Sequence, residues 1–530
     1  MQSAKMSYKN MMVSPHHLAS KVGADILKEG GNAIEAMIAS AAMISVVYPH
    51  MNSMGGDNFW LISDKNNKVT AIDACGCAAK LADIDFYKNQ GFNSIPERGP
   101  LAALTVPGAV AGWKLAYEFS QKEMGGKMPL SRLLYDAEQA AKDGIAVTNT
   151  LKNNLTSKFA QLKDIKGFCD LYLKNNKIPN LGDKLVFSAM SETFSLLIKN
   201  GLDDFYNGEL SNKIIADLEI SGSPLRKVDF ENFKASFVKP LELNIKNAKV
   251  FNLPPPTQGI ASILILGVLD NLSNCYDDDF SLIHNIVEAT KVVFKVRDKY
   301  ICDPNYMEKD VEDFLDFNFI KSLSKDIDQN KALPWPESSV GGDTVWLGSS
   351  DNYGNSVSFI QSIYWEFGSG LILPNTGITM QNRGISFSLD ENHFNKLLPG
   401  RKPFHTIQPA LAHFDDGRVM SYGTMGGEGQ PQTQATIFAR YAYLNKNLQS
   451  SIDEPRWLLG RTWGQESTSL KIENRFTEST YKKLKDSGHN IEVTGKFEEI
   501  MGHAGAIVRH PSGLLEGASD LRSDGASIGE

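Results

Sequence analysis

The sequence predicts an α+β layered fold, with helices packed on stacked antiparallel sheets. Three observations predict it. Residues 59–63 and 69–73 are short apolar runs around the polar turn 64–68, a hairpin pattern. Residues 344–348 and 356–360 flank the turn 351–355 in the same way. Between the hairpins, residues from about 115 to 330 read mostly as helix, with Lys and Asp on the outer faces.

In chain order, residues 17–28 carry a helical pattern stopped by Gly30-Gly31. Residues 33–47 form a small-residue helix with almost no charge, so burial on all sides is expected. The stretch 33–48 is the most apolar, yet Glu35, Ser40 and Ser45 leave it short of the ~18 apolar residues a membrane span needs. No apolar segment follows the N-terminal lysines, so no secretory signal is expected. Leu253-Pro254-Pro255-Pro256-Thr257-Gln258-Gly259 reads as a rigid turn. After Pro334-Trp335-Pro336 and the Gly341-Gly342 loop, glycine-rich turns punctuate short strands to the C-terminus.

The 530 residues are 42% apolar and 22% charged, an ordinary globular composition. Lys+Arg is 54 against Asp+Glu 62, a net charge of −8. This lacks the basic footprint of a nucleic-acid binder and gives no attraction to an anionic membrane. The five cysteines, Cys75, Cys77, Cys169, Cys275 and Cys302, are an odd number and make no disulfide framework. A reducing compartment, the cytoplasm, is expected. Cys75-Gly76-Cys77 has no second pair at zinc spacing, and neither a metal nor a cofactor is expected. There is no G-x-S-x-G, no Walker A loop and no H-E-x-x-H.

A family resemblance is carried by longer segments. Gly30-Gly31-Asn32-Ala33-Ile34-Glu35-Ala36, Pro49-His50 and Met54-Gly55-Gly56-Asp57-Asn58-Phe59 resemble the opening of the γ-glutamyltransferases (glutathione hydrolases). So do residues 106–112, 254–259, Asp343-Thr344, Phe367-Gly368-Ser369-Gly370, Gly426-Gly427 and Gly517-Ala518-Ser519-Asp520, in family order along nearly the whole chain. The resemblance implies an N-terminal-nucleophile hydrolase of four αββα layers, two stacked antiparallel sheets between helices. Such a precursor cuts itself before a threonine, here between Asp343 and Thr344. Residues 1–343 and 344–530 become large and small subunits of one folded unit, with a dimer of such heterodimers as a further assembly. The freed α-amine has a reference pKa of about 7.7–8, so it can take the hydroxyl proton that makes Thr344 a nucleophile. Gly426-Gly427 matches the oxyanion-hole pair, and Ser362 matches a threonine that hydrogen-bonds the nucleophile.

The γ-glutamyl clamp of the family is largely replaced. Its arginine matches Cys75, two carboxylate-binding serines match His405 and Thr406, and an asparagine matches Tyr364. The acidic or amide residues that hold the substrate amine match Arg383 and Ser386. An ammonium would face the permanent charge of Arg383, whereas a carboxylate would suit its planar fork. This is similar to a divergent branch of the family, the oxamate amidohydrolases. The expected activity is hydrolysis of a small carboxylate-bearing amide. The competing readings are a γ-glutamyl hydrolase or transferase, and a non-catalytic relative that binds a small ligand.

Overall fold

Two seven-stranded antiparallel sheets stack face to face. The first runs, in spatial order, Ala526–Gly529, Met11–Ser14, Asp343–Ser350, Ser356–Tyr364, Asp57–Ser63, Val69–Ala74 and Ser236–Val238. The second runs Lys5–Ser7, Leu515–Ser519, Ala504–Arg509, Val419–Thr424, Ala410–Phe414, Ala248–Asn252 and Leu241–Ile245. The computed structural model describes residues 3–335, 343–460 and 467–530; Pro336, the Gly341-Gly342 loop and the Asp343 side chain lie outside the described residues.

Side-chain alternation builds the layers. In the strand Asp57–Ser63 every residue is buried. Phe59 and Leu61 meet Phe251, Ile407 and Leu411 between the sheets, while Trp60 and Ile62 join the core formed with the helices His17–Lys28 and Ala33–Val47. The far face of the second sheet is covered by Gly259–Asp270, Asp279–Tyr300 and Gly429–Phe438. The order is helices, sheet, sheet, helices, the four layers expected.

Ala33–Val47 is buried at every position, as its composition requires. Its start is set by a capping box. The Asn32 side chain accepts from Glu35 N (3.0 Å), and Glu35 Oε2 accepts from Asn32 N (2.9 Å). Among the described residues, no helix is long and apolar enough to cross a membrane.

Both hairpins form, as Asp57–Ser63 with Val69–Ala74 and Asp343–Ser350 with Ser356–Tyr364. The helical reading of the middle of the chain needs correcting, because it contains the strands Ser236–Val238, Leu241–Ile245 and Ala248–Asn252. The first and second lie at sheet edges, and each runs only three to five residues. Such short, partly exposed segments carry too few apolar positions to establish a period of two against their helical surroundings.

Candidate active site

Thr344 is the second residue of its strand and has no solvent exposure. Its Oγ1 donates to Ser362 Oγ (3.3 Å) and accepts from Gln430 Nε2 (3.4 Å). Ser362 Oγ also accepts from the backbone N of Tyr364 (2.8 Å). Gln430 opens the helix Gly429–Phe438. Before that helix Gly426 and Gly427 turn with φ of +116° and +51°, which side chains disfavour. Gly426 O accepts from Gly429 N (2.7 Å). Because the peptide is trans, the Gly427 N–H points the opposite way, off the helix start.

A buried charge network braces this turn. Gly427 O accepts from Gln258 Nε2 (2.8 Å), and Gln258 Oε1 accepts from Arg297 Nη1 (2.9 Å). Arg297 Nη2 donates to Glu428 Oε1 at 2.7 Å, with side chains 1% and 0% exposed. Arg297 comes from the helix Asp279–Tyr300 on the far side of the second sheet.

Arg383 opens the short 3₁₀ turn Arg383–Ser386 and is fully buried. Its Nη1 donates to Thr406 Oγ1 (3.0 Å), and its guanidinium carbon lies 3.7 Å from the centre of the Tyr364 ring. Its Nε and Nη2 have no hydrogen-bond partner among the described residues. Tyr364 sits cross-strand from Asp343 and holds φ at +80°, a strained conformation for an aromatic residue. The guanidinium is thus stacked on the residue whose backbone pairs with Asp343, the neighbour of Thr344. Burial lowers Arg383 to about 10, against the nearby Tyr364, Asp57 and Cys75, so it stays charged at neutral pH. Ser386 is half-buried, and its Oγ is likewise without a partner.

His405 and Asp57 form a second buried unit. His405 Nε2 lies 3.1 Å from Asp57 Oδ2, and both side chains are fully buried. Asp57 Oδ1 accepts from Gly76 N (3.1 Å), Gly108 N (3.0 Å) and Gln381 Nε2 (3.1 Å). Gly108 is dictated by this approach, since a Cβ there would lie 1.9 Å from Ala74 O. Burial outweighs these donors and the Arg383 charge, and pushes Asp57 up to about 7. Burial, with the Arg383 and Lys402 charges, holds His405 well below its ordinary value, so the ring is neutral. Cys75 is buried nearby; burial and then the Asp57 charge raise its thiol well above the usual range, leaving it an un-ionised SH.

The structure thus gathers Thr344, Ser362 and Tyr364 on one hairpin. Gly426-Gly427 is tied to Thr344 through Gln430, and Arg383 joins Thr406 and Tyr364. Cys75 and His405 lie around Asp57 rather than touching Arg383 directly. Sequence reasoning missed Gln258, Arg297, Gln381, Gln430 and the role of Asp57. The one available signal was Asp57 itself, an acid opening an otherwise apolar strand.

Among the described residues, two buried groups offer metal-type donors, Asp57–Cys75–His405 and His284–Glu288–His489. The atoms that face one another in each group already serve the protein. Asp57 takes three donors on one oxygen, with the Arg383 charge close by. His284 Nδ1 meets His489 Nε2 (2.9 Å), and Glu288 holds Lys291 (2.7 Å) and Leu333 N (2.7 Å). Neither arrangement fits a resident cation.

Comparison with known proteins adds the following. The family model for gamma-glutamyltranspeptidase matches residues 19–530. The oxamate amidohydrolase proenzyme of Klebsiella pneumoniae subsp. pneumoniae is 49% identical over 529 residues, covering 100% of both chains. A glutathione hydrolase-like proenzyme of Bacillus subtilis is 38% identical, again over 100% of both. The crystal structure of a cephalosporin acylase from Bacillus halodurans superposes with a TM-score of 0.91 at 30% identity, covering 100% of this chain and 97% of that one.

Proposed function

The chain belongs to the gamma-glutamyltranspeptidase family, and from that premise we propose that it is a self-processing hydrolase of a small carboxylate-bearing amide, acting through an acyl-enzyme on Thr344. Scission falls between Asp343 and Thr344. The freed α-amine takes the Oγ1 proton, Ser362 orients the hydroxyl, and the Gly426-Gly427 turn donates backbone N–H groups to the oxyanion. The amide nitrogen leaves with the transferred proton, and water then hydrolyses the threonyl ester. The large and small subunits stay together, because strands of both alternate within each sheet. Five free cysteines favour a cytoplasmic, reducing setting.

The observation that carries the substrate class is Arg383, a fully buried cation whose Nε and Nη2 lack partners. Buried donors without acceptors are costly, and a substrate carboxylate would satisfy both at once. A γ-glutamyl α-ammonium would instead meet a like charge. The 49% identity to an oxamate amidohydrolase proenzyme supports the same class.

The test is a hydrolysis panel of oxamate, glutathione and γ-glutamyl anilide. Thr344→Ala should leave an uncut, inactive chain. Arg383→Ala should raise KM for oxamate about ten- to hundredfold, the loss of a charge-assisted bidentate contact, while self-processing continues. Efficient glutathione turnover that ignores Arg383→Ala would return the protein to the γ-glutamyl reading.

A further inference from the structure

Resting on that reading, we propose that His405 accepts an N–H from the nitrogen of the scissile amide beside Arg383, and that Asp57 keeps His405 Nδ1 free of a proton for this purpose. His405 Nδ1 is buried and has no partner among the described residues. The ring is fixed edge-on against Phe59, with centroids 4.8 Å apart. The next residue, Thr406, accepts from Arg383 (3.0 Å), and the Arg383 charge is felt by the ring, so imidazole and guanidinium are close neighbours.

A neutral imidazole carries one N–H. The Asp57 carboxylate can only accept, so the ring proton sits on Nε2 and Nδ1 keeps its lone pair. These neighbours then offer two features of opposite sense, a donor fork on Arg383 and a neutral acceptor on His405. A primary amide with a carboxylate on the adjacent carbon, as in oxamate, presents the matching groups along one edge of the molecule. An ester or an N,N-dialkyl amide lacks the N–H. During the reaction the Thr344 α-amine supplies the proton that the departing nitrogen needs. The bond to His405 turns the nitrogen lone pair toward that proton, and His405 itself moves none.

Asp57 is a positioning residue, and its surroundings make the idea sharply testable. The three donors on Oδ1 would force the oxygen of an Asn at position 57 into the same place. Its NH2 would then face His405 Nε2, which must accept, and the ring proton would move to Nδ1. Asp57→Asn therefore turns the acceptor into a donor without changing shape. Protonating Asp57 on Oδ2 does the same. The groups facing Asp57 are Arg383, His405, Cys75, Cys77, Tyr206 and the neutral Gln381, with the Lys402–Asp73 ion pair behind Cys75. Burial sets its midpoint at about 7. Activity should fall as the pH drops through that value.

The experiment measures kcat/KM for oxamate, per processed Thr344 N-terminus, in wild type, Asp57→Asn, His405→Phe and the double variant. Each single change should cost roughly a hundredfold, as expected for a buried hydrogen bond lost or reversed, and the double variant should be no worse than His405→Phe. The acid limb near pH 7 should vanish in Asp57→Asn, leaving only that of the Thr344 amine. Nitrogen NMR of histidine-labelled protein at about pH 9, well above the Asp57 midpoint, assigned by the signal missing in His405→Phe, should show a bare Nδ1 in wild type and a protonated one in Asp57→Asn. At that pH, Asp57→Asn activity within threefold of wild type, or a protonated Nδ1 in wild type, overturns the inference. A processed wild type inert to oxamate overturns the substrate reading and the amide-nitrogen role with it; the NMR result still decides what Asp57 does. Should Asp57→Asn fail to fold, His405→Phe carries the activity test.

Discussion

Arg297→Met tests whether the Gly426-Gly427 turn, the proposed oxyanion site, is held from outside. The Arg297–Glu428 pair is 2.7 Å long, with side chains 1% and 0% exposed. Removing one partner of such a buried pair costs about 3–5 kcal/mol. The second ion pair of Arg297, with Asp298, adds little, since Asp298 is 25% exposed and water can screen it. Gln258 also loses the donor to its Oε1, leaving its Nε2 bonds to Gly427 O and Thr406 O (2.6 Å) as its remaining anchors. A displacement of about 1 Å at the turn is enough to lower kcat on the order of 10²-fold. Stability is best read by urea unfolding of the uncut Thr344→Ala chain, where subunit separation does not intrude. Activity is read as oxamate hydrolysis by the processed form. Combining Arg297→Met with Glu428→Gln removes both charges of the buried pair, so part of the stability should return while kcat stays low. A single Arg297→Met variant that loses under ~1 kcal/mol and keeps its kcat would refute the reasoning.

Two further outcomes are expected. Ser362→Ala removes the acceptor of the Thr344 hydroxyl (3.3 Å) and should slow both self-processing and hydrolysis about tenfold, read by gel band intensity and by product release. Glu499 packs against Asn154 (3.1 Å), and burial raises it from 4.5 to about 8. Its contribution to stability is full below pH 4.5 and is lost as pH rises through about 8, so Glu499→Gln should flatten the alkaline side of a melting-temperature profile. An unchanged profile would remove Glu499 from the account.

How far the sequence could be read depended on how local each signal was. The helices His17–Lys28 and Ala33–Val47 were legible because Gly30, Asn32 and Glu35 carry their own stop and start signals. Both hairpins were legible from alternation around polar turns. The strand Ala248–Asn252 was not, since it is anchored by pairing with Ala410–Phe414, about 160 residues on, and the edge strand Leu241–Ile245 pairs with it in turn. In the site, Thr344, Ser362 and the two glycines were reachable through family resemblance. The Asp57–His405 and Gln258–Arg297–Glu428 links were not, because each joins segments that approach only in the finished stack.

The first sheet holds a hairpin of the proposed small chain between Met11–Ser14 and Asp57–Ser63 of the large one. The peptide cut at Thr344 would thus divide a structure whose parts were woven while still one molecule. Afterwards, what had been a chain folding upon itself becomes an encounter between two solutes. Renaturation of the mature enzyme should depend on concentration and fail on dilution, while the uncut precursor refolds at any dilution. Maturation, on this view, discards the instructions for assembly at the moment the catalyst is made.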